Sequence, residues 1–181
     1  PPPPTAPKDP SLEHIDALAG KKFQAFPNQD HRAHVTAHLN FMSTNLVRNN
    51  PNVMAAIQKN ILEHISLMAT EQVQLEYREQ MVQLQQLAQQ AAVNPQAQQQ
   101  VAEMTQNIEA RKAVLIAEMT GDFMKEEKEI TSQFDSDPLL KLKSREVDLK
   151  AMENQRKQEE TTANQELERA KLLQAQQLNQ Q

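Results

Sequence analysis

The chain has 181 residues, a net charge of −5, 3% aromatic residues, two glycines and no cysteine. The lack of cysteine excludes disulfides and thiolate metal sites, and the negative charge argues against a broad basic surface for nucleic acid. No apolar run reaches the about 18 residues that a membrane span requires. Residues that favour helix dominate the composition, which therefore predicts an all-α protein.

The apolar content is low for a protein that folds alone. Hydrophobic residues make up 38% of the chain and the mean hydropathy is −0.73, which leaves little apolar surface to offset chain entropy. Long helices that bury one narrow stripe against neighbours need less apolar surface than a globule needs. The composition therefore favours an oligomer.

The N-terminal part divides into a linker and a region of short helices. Residues 1–10 are rich in proline and predict a polyproline II linker. Residues 11–50 predict two short helices. The first begins with Ser11 as its N-cap and ends at Gly20. Between the two helices, Phe23 and Phe26 are expected to pack into a neighbouring core.

The second short helix is predicted from Asn28 or Asp30 to about Arg48, before the Asn-Asn-Pro break at residues 49–51. Apolar residues recur along it at intervals of four, three and four, which is helical spacing. These residues are Val35, Leu39, Met42 and Leu46.

Residues 51–134 predict a hairpin of two long helices, which run from Pro51 to about Val93 and from Pro95 to about Phe134. The first of them carries two apolar stripes, and we expect both to pack against other helices or subunits. The first stripe comprises Met54, Ile57, Ile61, Ile65 and Met68. The second has heptad spacing and comprises Tyr77, Met81, Leu84, Ala88 and Ala91.

Residues 135–181 predict a C-terminal helix that is rich in glutamine and glutamate, with Asp137 as its cap and Pro138 as its first residue. Its stretch 153–166 has almost no apolar residue. A polar helix is not stable alone, so we expect this stretch to have partners or to fray.

Histidines on the second helix are the sharpest local feature. His31, His34 and His38 share one helical face, and the i,i+4 pair His34 and His38 suits two imidazoles on one metal ion. His64 could add a ligand from the next helix. The favoured interpretation is a polar interface face in an oligomer or a helix hairpin, without metal. A metal site and a pH-responsive contact between subunits are the alternatives.

No residue pattern predicts an enzyme or a bound cofactor. Glycines are too few to form a phosphate-binding loop, and no nucleophile stands in a recognisable relation to a base. The acidic group at Glu126, Glu127 and Glu129 alternates with lysines and is predicted to be a solvated helix face.

The histidine helix and the segment after it resemble the C-terminal crown and barrel region of tailed-bacteriophage portal proteins, the head-to-tail connectors. The resemblance covers residues 25–92 by motif and the rest by composition, since the family continues into a glutamine-rich coiled coil. The matching residues are Asp30, His31, His34, His38, Phe41, Met42, Asn50, Pro51, Glu63, His64 and Ile65.

The resemblance implies a structural virion protein. Its short N-terminal helices would form a crown, and its long helices would form a coiled-coil barrel, with 135–181 as the wall or its frayed tip. It further implies a homo-oligomeric ring, dodecameric in this family, at the portal vertex of the capsid. Double-stranded DNA would pass through this ring during packaging and ejection.

The partners implied are the capsid and the head-completion or tail adaptor proteins, with no membrane in the resting virion and assembly in the host cytoplasm. One alternative is a coiled-coil scaffolding or internal virion protein without a channel. A second alternative is a helical metal-binding module that uses the histidines.

Overall fold

The structure, a computed structural model, describes residues 6–180 apart from the side chains of residues 140, 141 and 144. The predicted all-α class is confirmed, because every regular element between residues 6 and 180 is a helix. Part of the predicted linker, residues 1–5, lies outside the described residues. The helices are α1 (Pro10–Leu18), α2 (His31–Met42), α3 (Asn45–Arg48), α4 (Pro51–Glu76), α5 (Arg78–Gln90), α6 (Pro95–Ser136) and α7 (Pro138–Asn179).

The first helix begins earlier than the sequence predicts and ends where predicted. The side chain of Asp9 accepts a hydrogen bond from the backbone N–H of Ser11, so Asp9 is the N-cap and Pro10 is the first helical residue. Gly20 has a φ of +70° and donates its N–H to the carbonyl of Ala17. Lys21 donates to the carbonyl of Asp16, which completes a Schellman motif.

The second predicted helix is wrong at its end, because α2 stops at Met42 and not near Arg48. The hydroxyls of Ser43 and Thr44 donate to the carbonyls one turn back, at 3.0 and 2.7 Å. Thr44 is extended, and α3 starts after it. Side-chain bonds of this kind compete with helix propagation. The break rotates the chain so that Val47 is buried and Leu46 is half-buried.

The long helix predicted for residues 51–93 is also divided. Tyr77 leaves helical geometry, with φ −110° and ψ 24°, and separates α4 from α5. Beside this kink, both carboxylate oxygens of Glu76 accept hydrogen bonds from Arg111 at 2.8 and 3.1 Å. Both α4 and α5 contact α6, so the two helices into which residues 51–93 divide pack on the helix predicted for residues 95–134.

Two hydrophobic cores hold the helices together. The head core lies among α1 to α4 and receives Phe123 from α6, and the hairpin core joins the end of α4 and α5 to α6. The first predicted stripe, Met54 to Met68, belongs to the head core. Of the second stripe, Tyr77, Met81 and Leu84 pack in the hairpin core, whereas Ala88 is exposed and Ala91 is half-buried.

The last helix leaves the body of the molecule. Its first part packs against α1, α3 and α6, and Gln155 donates a hydrogen bond to the carbonyl of Leu18 at 3.1 Å. From residue 163 to residue 180 every side chain is exposed. None of the described helices combines the length and the apolarity that crossing a membrane requires.

Candidate functional site

All five histidines of the chain meet in the head, between α1, α2 and α4. The rings of His34 and His64 stack with centroids 4.6 Å apart, and those of His14 and His38 meet edge to face at 5.0 Å. The five are His14 on α1, His31, His34 and His38 on α2, and His64 on α4.

The local sequence of α2 places its three histidines on one face. Asp30 caps the helix by accepting a hydrogen bond from the N–H of Ala33. With the start fixed, intervals of three and four residues align His31, His34 and His38 toward α1 and α4. The apolar residues of α2 form the adjacent stripe and pack in the head core.

Four of the buried side chains form an inner group. Glu13, His34, His38 and His64 each offer one ligand atom, and these atoms all lie within 4.8 Å of one another. Glu13 Oε1 is 2.8 Å from His34 Nδ1 and 3.7 Å from His38 Nε2. The four residues are between 0% and 7% exposed. Three helices therefore contribute carboxylate and imidazole groups to one enclosed point.

Two further histidines contact the Nδ1 atoms of His38 and His64, the ring nitrogens that face away from the inner group. His14 Nε2 lies 2.8 Å from His38 Nδ1, and His31 Nδ1 lies 2.8 Å from His64 Nδ1. His31 Nε2 in turn lies 3.1 Å from a carboxylate oxygen of Glu71. These contacts orient two of the three inner rings.

Burial keeps the inner histidines neutral. It lowers the pKa of His64 to about 3 and that of His38 to about 4, and it also lowers the pKa of His34. Burial, with repulsion from Asp16 and Glu63, raises the pKa of Glu13 to about 8. Neutral imidazoles keep a lone pair, which is the form in which histidine binds a metal ion.

Two buried polar atoms of the site lack a hydrogen-bond partner in the described part of the chain. They are Nε2 of His64 and Nδ2 of Asn60. The Oδ1 atom of Asn60 accepts a hydrogen bond from Nε2 of His38 at 2.8 Å. A buried polar atom without a partner costs about 1–3 kcal/mol, so the cluster is not a fully satisfied hydrogen-bond network.

Three of the four histidines singled out in the sequence lie in the inner group, and His31 lies one hydrogen bond outside it. The sequence reasoning missed Glu13, because nothing in the pattern of α1 shows that it faces α2. All four histidines singled out are buried inside one chain, which contradicts the interpretation of this face as a pH-responsive contact between subunits.

The acidic group on α6 is only partly a solvated face. Glu129 is exposed, but Glu126 is half-buried and accepts a hydrogen bond from the hydroxyl of Thr36 at 2.8 Å. This bond ties α6 to α2 beside the head core. It is a structural contact, and no histidine takes part in it.

Comparison of the chain with protein families, with curated proteins and with solved structures finds no significant match. Two features of the described chain bear on its function. One is the buried group of Glu13, His34, His38 and His64, and the other is the exposed end of α7 at residues 163–180.

Proposed function

We propose that this chain is a structural subunit that assembles with copies of itself through α7, and that the assembly is the crown and barrel of a phage portal ring. The observation that carries the proposal is the exposure of every side chain from residue 163 to residue 180. The sequence resemblance to portal proteins supplies the identity of the ring.

Partners are needed because this end of α7 buries none of its side chains in the described part of the chain. Most of the stability of a helix in a protein comes from packing of its apolar face. Four leucines are exposed there, each by more than half of its surface, and burying a leucine stabilises by about 1.5–3 kcal/mol. Contact with neighbouring copies would supply that burial. The four are Leu167, Leu172, Leu173 and Leu178.

The leucines occupy two sides of the helix. At about 100° per residue, Leu167 and Leu178 lie within about 20° of each other, whereas Leu172 and Leu173 lie about 140° and 240° away from Leu167. We name the first pair face A and the second pair face B. A helix with one neighbour needs one apolar face. A helix in the wall of a ring has a neighbour on each side, and face A of one copy then packs on face B of the next.

The charge of this helix suits a wall along which DNA slides. Residues 153–180 contain five acidic and four basic side chains, so the wall is close to neutral. Basic residues would bind phosphates and retain the duplex. A near-neutral, glutamine-rich wall has little affinity for the backbone. The channel function for double-stranded DNA rests on this argument and on the resemblance.

Complementary face variants of the full-length chain test the assembly. Variant A carries Leu167→Glu and Leu178→Glu, and variant B carries Leu172→Glu and Leu173→Glu. A matched control, Ala175→Glu with Gln177→Glu, adds the same charge between the two faces. We expect closed rings of about twelve copies for the parent chain and the control. Light scattering gives the mass and negative-stain electron microscopy gives the shape.

The mixing result separates a ring from other assemblies. In a head-to-tail ring, variants A and B are each monomeric alone, and a mixture forms dimers through the one intact pair of faces. Rods or small bundles from the parent chain would favour the scaffolding or internal virion protein. A monomeric parent chain at high concentration would overturn the proposal.

A further inference from the structure

Helix α1 is attached to the head in an unusual way, because the side chains it buries are mostly charged. Glu13 and Asp16 are at most 4% exposed, and Ala17 is the buried apolar residue of this helix. Lys8 pairs with Asp16 at 2.6 Å. In the described part of the chain, the ion partners of Glu13 within 4 Å are two histidines. A carboxyl group buried in this position is neutralised by a proton, as the raised pKa of Glu13 indicates, or is balanced by a positive charge.

The hydrogen bonds through His31 bear on which ring nitrogen of His64 carries the proton. The ionised carboxylate of Glu71 only accepts hydrogen bonds, so Nε2 of His31 carries the proton and donates it. In the His31 tautomer whose one ring proton is on Nε2, Nδ1 accepts, and His64 donates from its own Nδ1. A neutral His64 is left with a bare lone pair on Nε2. This is the buried atom that has no hydrogen-bond partner.

We infer that Glu13, His34, His38 and His64 bind one divalent transition-metal ion, with zinc the best fit, and that this ion fastens α1 to α2 and α4. The lone pair on His64 supplies one ligand. The ion takes the place of the proton shared between Glu13 Oε1 and His34 Nδ1, which lie 2.8 Å apart. Three imidazoles and one carboxylate form a set that zinc binds tetrahedrally.

The fourth ligand, His38, has to exchange one hydrogen bond for the metal bond. Its Nε2 now donates to Asn60 Oδ1, and its Nδ1 faces His14 Nε2. When the ion binds Nε2, the single ring proton of His38 moves to Nδ1 and is donated to Nε2 of His14, whose own ring proton moves from Nε2 to Nδ1. His14, His31 and Glu71 thus form the outer hydrogen bonds that metal-binding histidines usually have.

Binding of the ion requires small changes in the distances between the ligand atoms. Ligand atoms in a tetrahedral zinc site are separated by about 3.4 Å, because zinc–nitrogen and zinc–oxygen bonds are about 2.0–2.1 Å long. All four ligand atoms lie within 4.8 Å of one another, so any pair closes by about 1.4 Å at most. Glu13 Oε1 and His34 Nδ1, which lie 2.8 Å apart, separate by about 0.6 Å. All four ligands come from the protein and all are buried. The site is therefore structural, since no position is left open for a substrate.

Metal binding to the full-length chain, purified without a polyhistidine tag and stripped with a chelator, tests the inference. We expect one zinc ion per chain by titration calorimetry, with a Kd below about 1 µM. Cobalt should give the intense visible spectrum of a four-coordinate ion, and X-ray absorption of the zinc form should show three imidazoles. A chain that takes up no zinc, or that takes it up with another ligand set, overturns the inference.

Variants identify the ligands. Glu13→Gln and His64→Gln should weaken zinc binding by more than about 100-fold, whereas His31→Gln, which removes only an outer bond, should weaken it by roughly 10- to 100-fold and keep all three imidazoles. Glu109→Gln, on an exposed position of α6, is the matched control and should bind as the parent does. Zinc binding that is unchanged in Glu13→Gln and His64→Gln would overturn the inference.

Amide hydrogen exchange of the parent chain is a second measurement, and it does not depend on whether the variants fold. In the parent chain, removal of zinc should increase amide hydrogen exchange over residues 10–18 and leave the hairpin core unchanged, since only α1 depends on the ion for its attachment. Equal exchange of α1 with and without zinc would contradict the proposed fastening role. The site lies within one chain, so the monomeric face variants of α7 should bind zinc normally. Failure of the assembly proposal and failure of the metal proposal are thereby distinguishable.

Discussion

At the scale of single residues, the buried titratable groups make the stability of the metal-free protein depend on pH, with a maximum at one pH. Burial lowers the pKa of His14 and His64 to about 3 and that of His38 to about 4. Below pH 6.5 the unfolded chain therefore binds more protons than the folded chain, and stability falls as the pH falls. Burial raises the pKa of Glu13 to about 8, so this residue acts oppositely, and its contribution falls as the pH rises from 4.5 to 8. Burial also raises the pKa of Asp148.

We therefore expect the free energy of unfolding to be greatest near pH 6.5 when a chelator is present. Between pH 4.5 and 6.5, the protons that three histidines take up on unfolding outnumber the one that Glu13 releases. The free energy of unfolding therefore rises with pH by on the order of 2 kcal/mol per pH unit. Urea unfolding at a series of pH values measures the profile. Glu13→Gln should remove the decline above pH 6.5 and retain the decline below it. A parent profile that rises steadily to pH 8 would contradict the expectation.

The sequence indicates which residues share a helical face but not which helices meet. Spacing placed His31, His34 and His38 together, and their helix bears out that placement. Glu13 lies 21 residues before His34, and its approach depends on the turn at Gly20 and on the left-handed Asn28. Periodicity carries no information about such a turn. The full ligand set could therefore not be predicted.

At the scale of elements, the two glycines should respond in opposite ways to the same substitution. Gly20 has a φ of +70°, where an added Cβ is strained although the space around it is open. Gly121 lies inside α6, and an added Cβ meets nothing within 4 Å. We expect Gly20→Ala to destabilise the fold and Gly121→Ala to stabilise it, each by about 0.5–1 kcal/mol. Urea unfolding measures both, and changes of the same sign would be inconsistent with these conformations.

Helix starts could be predicted more reliably than helix breaks. Asn50, Asn94 and Asp137 each cap the helix that begins with the following proline, as the sequence indicates. The breaks at Thr44 and Tyr77 have neither glycine nor proline at the breaking residue. The side-chain hydrogen bonds of Ser43 and Thr44 favour the first break. Both breaks occur where tertiary packing buries Val47 and places α5 along α6. Local propensity does not contain that information.

At the scale of the whole molecule, α7 divides into a part supported by its own chain and a part that depends on other copies. The supported part packs against α1 and α3, and Gln155 hydrogen-bonds to Leu18. Residues 163–180 bury none of their side chains against the described part of the chain. The sequence predicted that residues 153–166 need partners. In the structure Gln155, Gln158 and Thr162 of that stretch are half-buried, and the continuously exposed segment begins at residue 163.

Amide hydrogen exchange should locate the same division. In variant A, which cannot form face-to-face contacts, residues 163–180 should exchange with little protection, because an unsupported helix frays easily. In the assembled parent chain this segment should gain at least about tenfold protection, equivalent to about 1.4 kcal/mol of local stability. The hairpin core at Ala69, Val73 and Leu115 is buried within each chain and should exchange equally in both states. Equal exchange of residues 163–180 in the two states would mean that α7 takes no part in assembly, and the contacts between copies would then have to lie on the head or the hairpin.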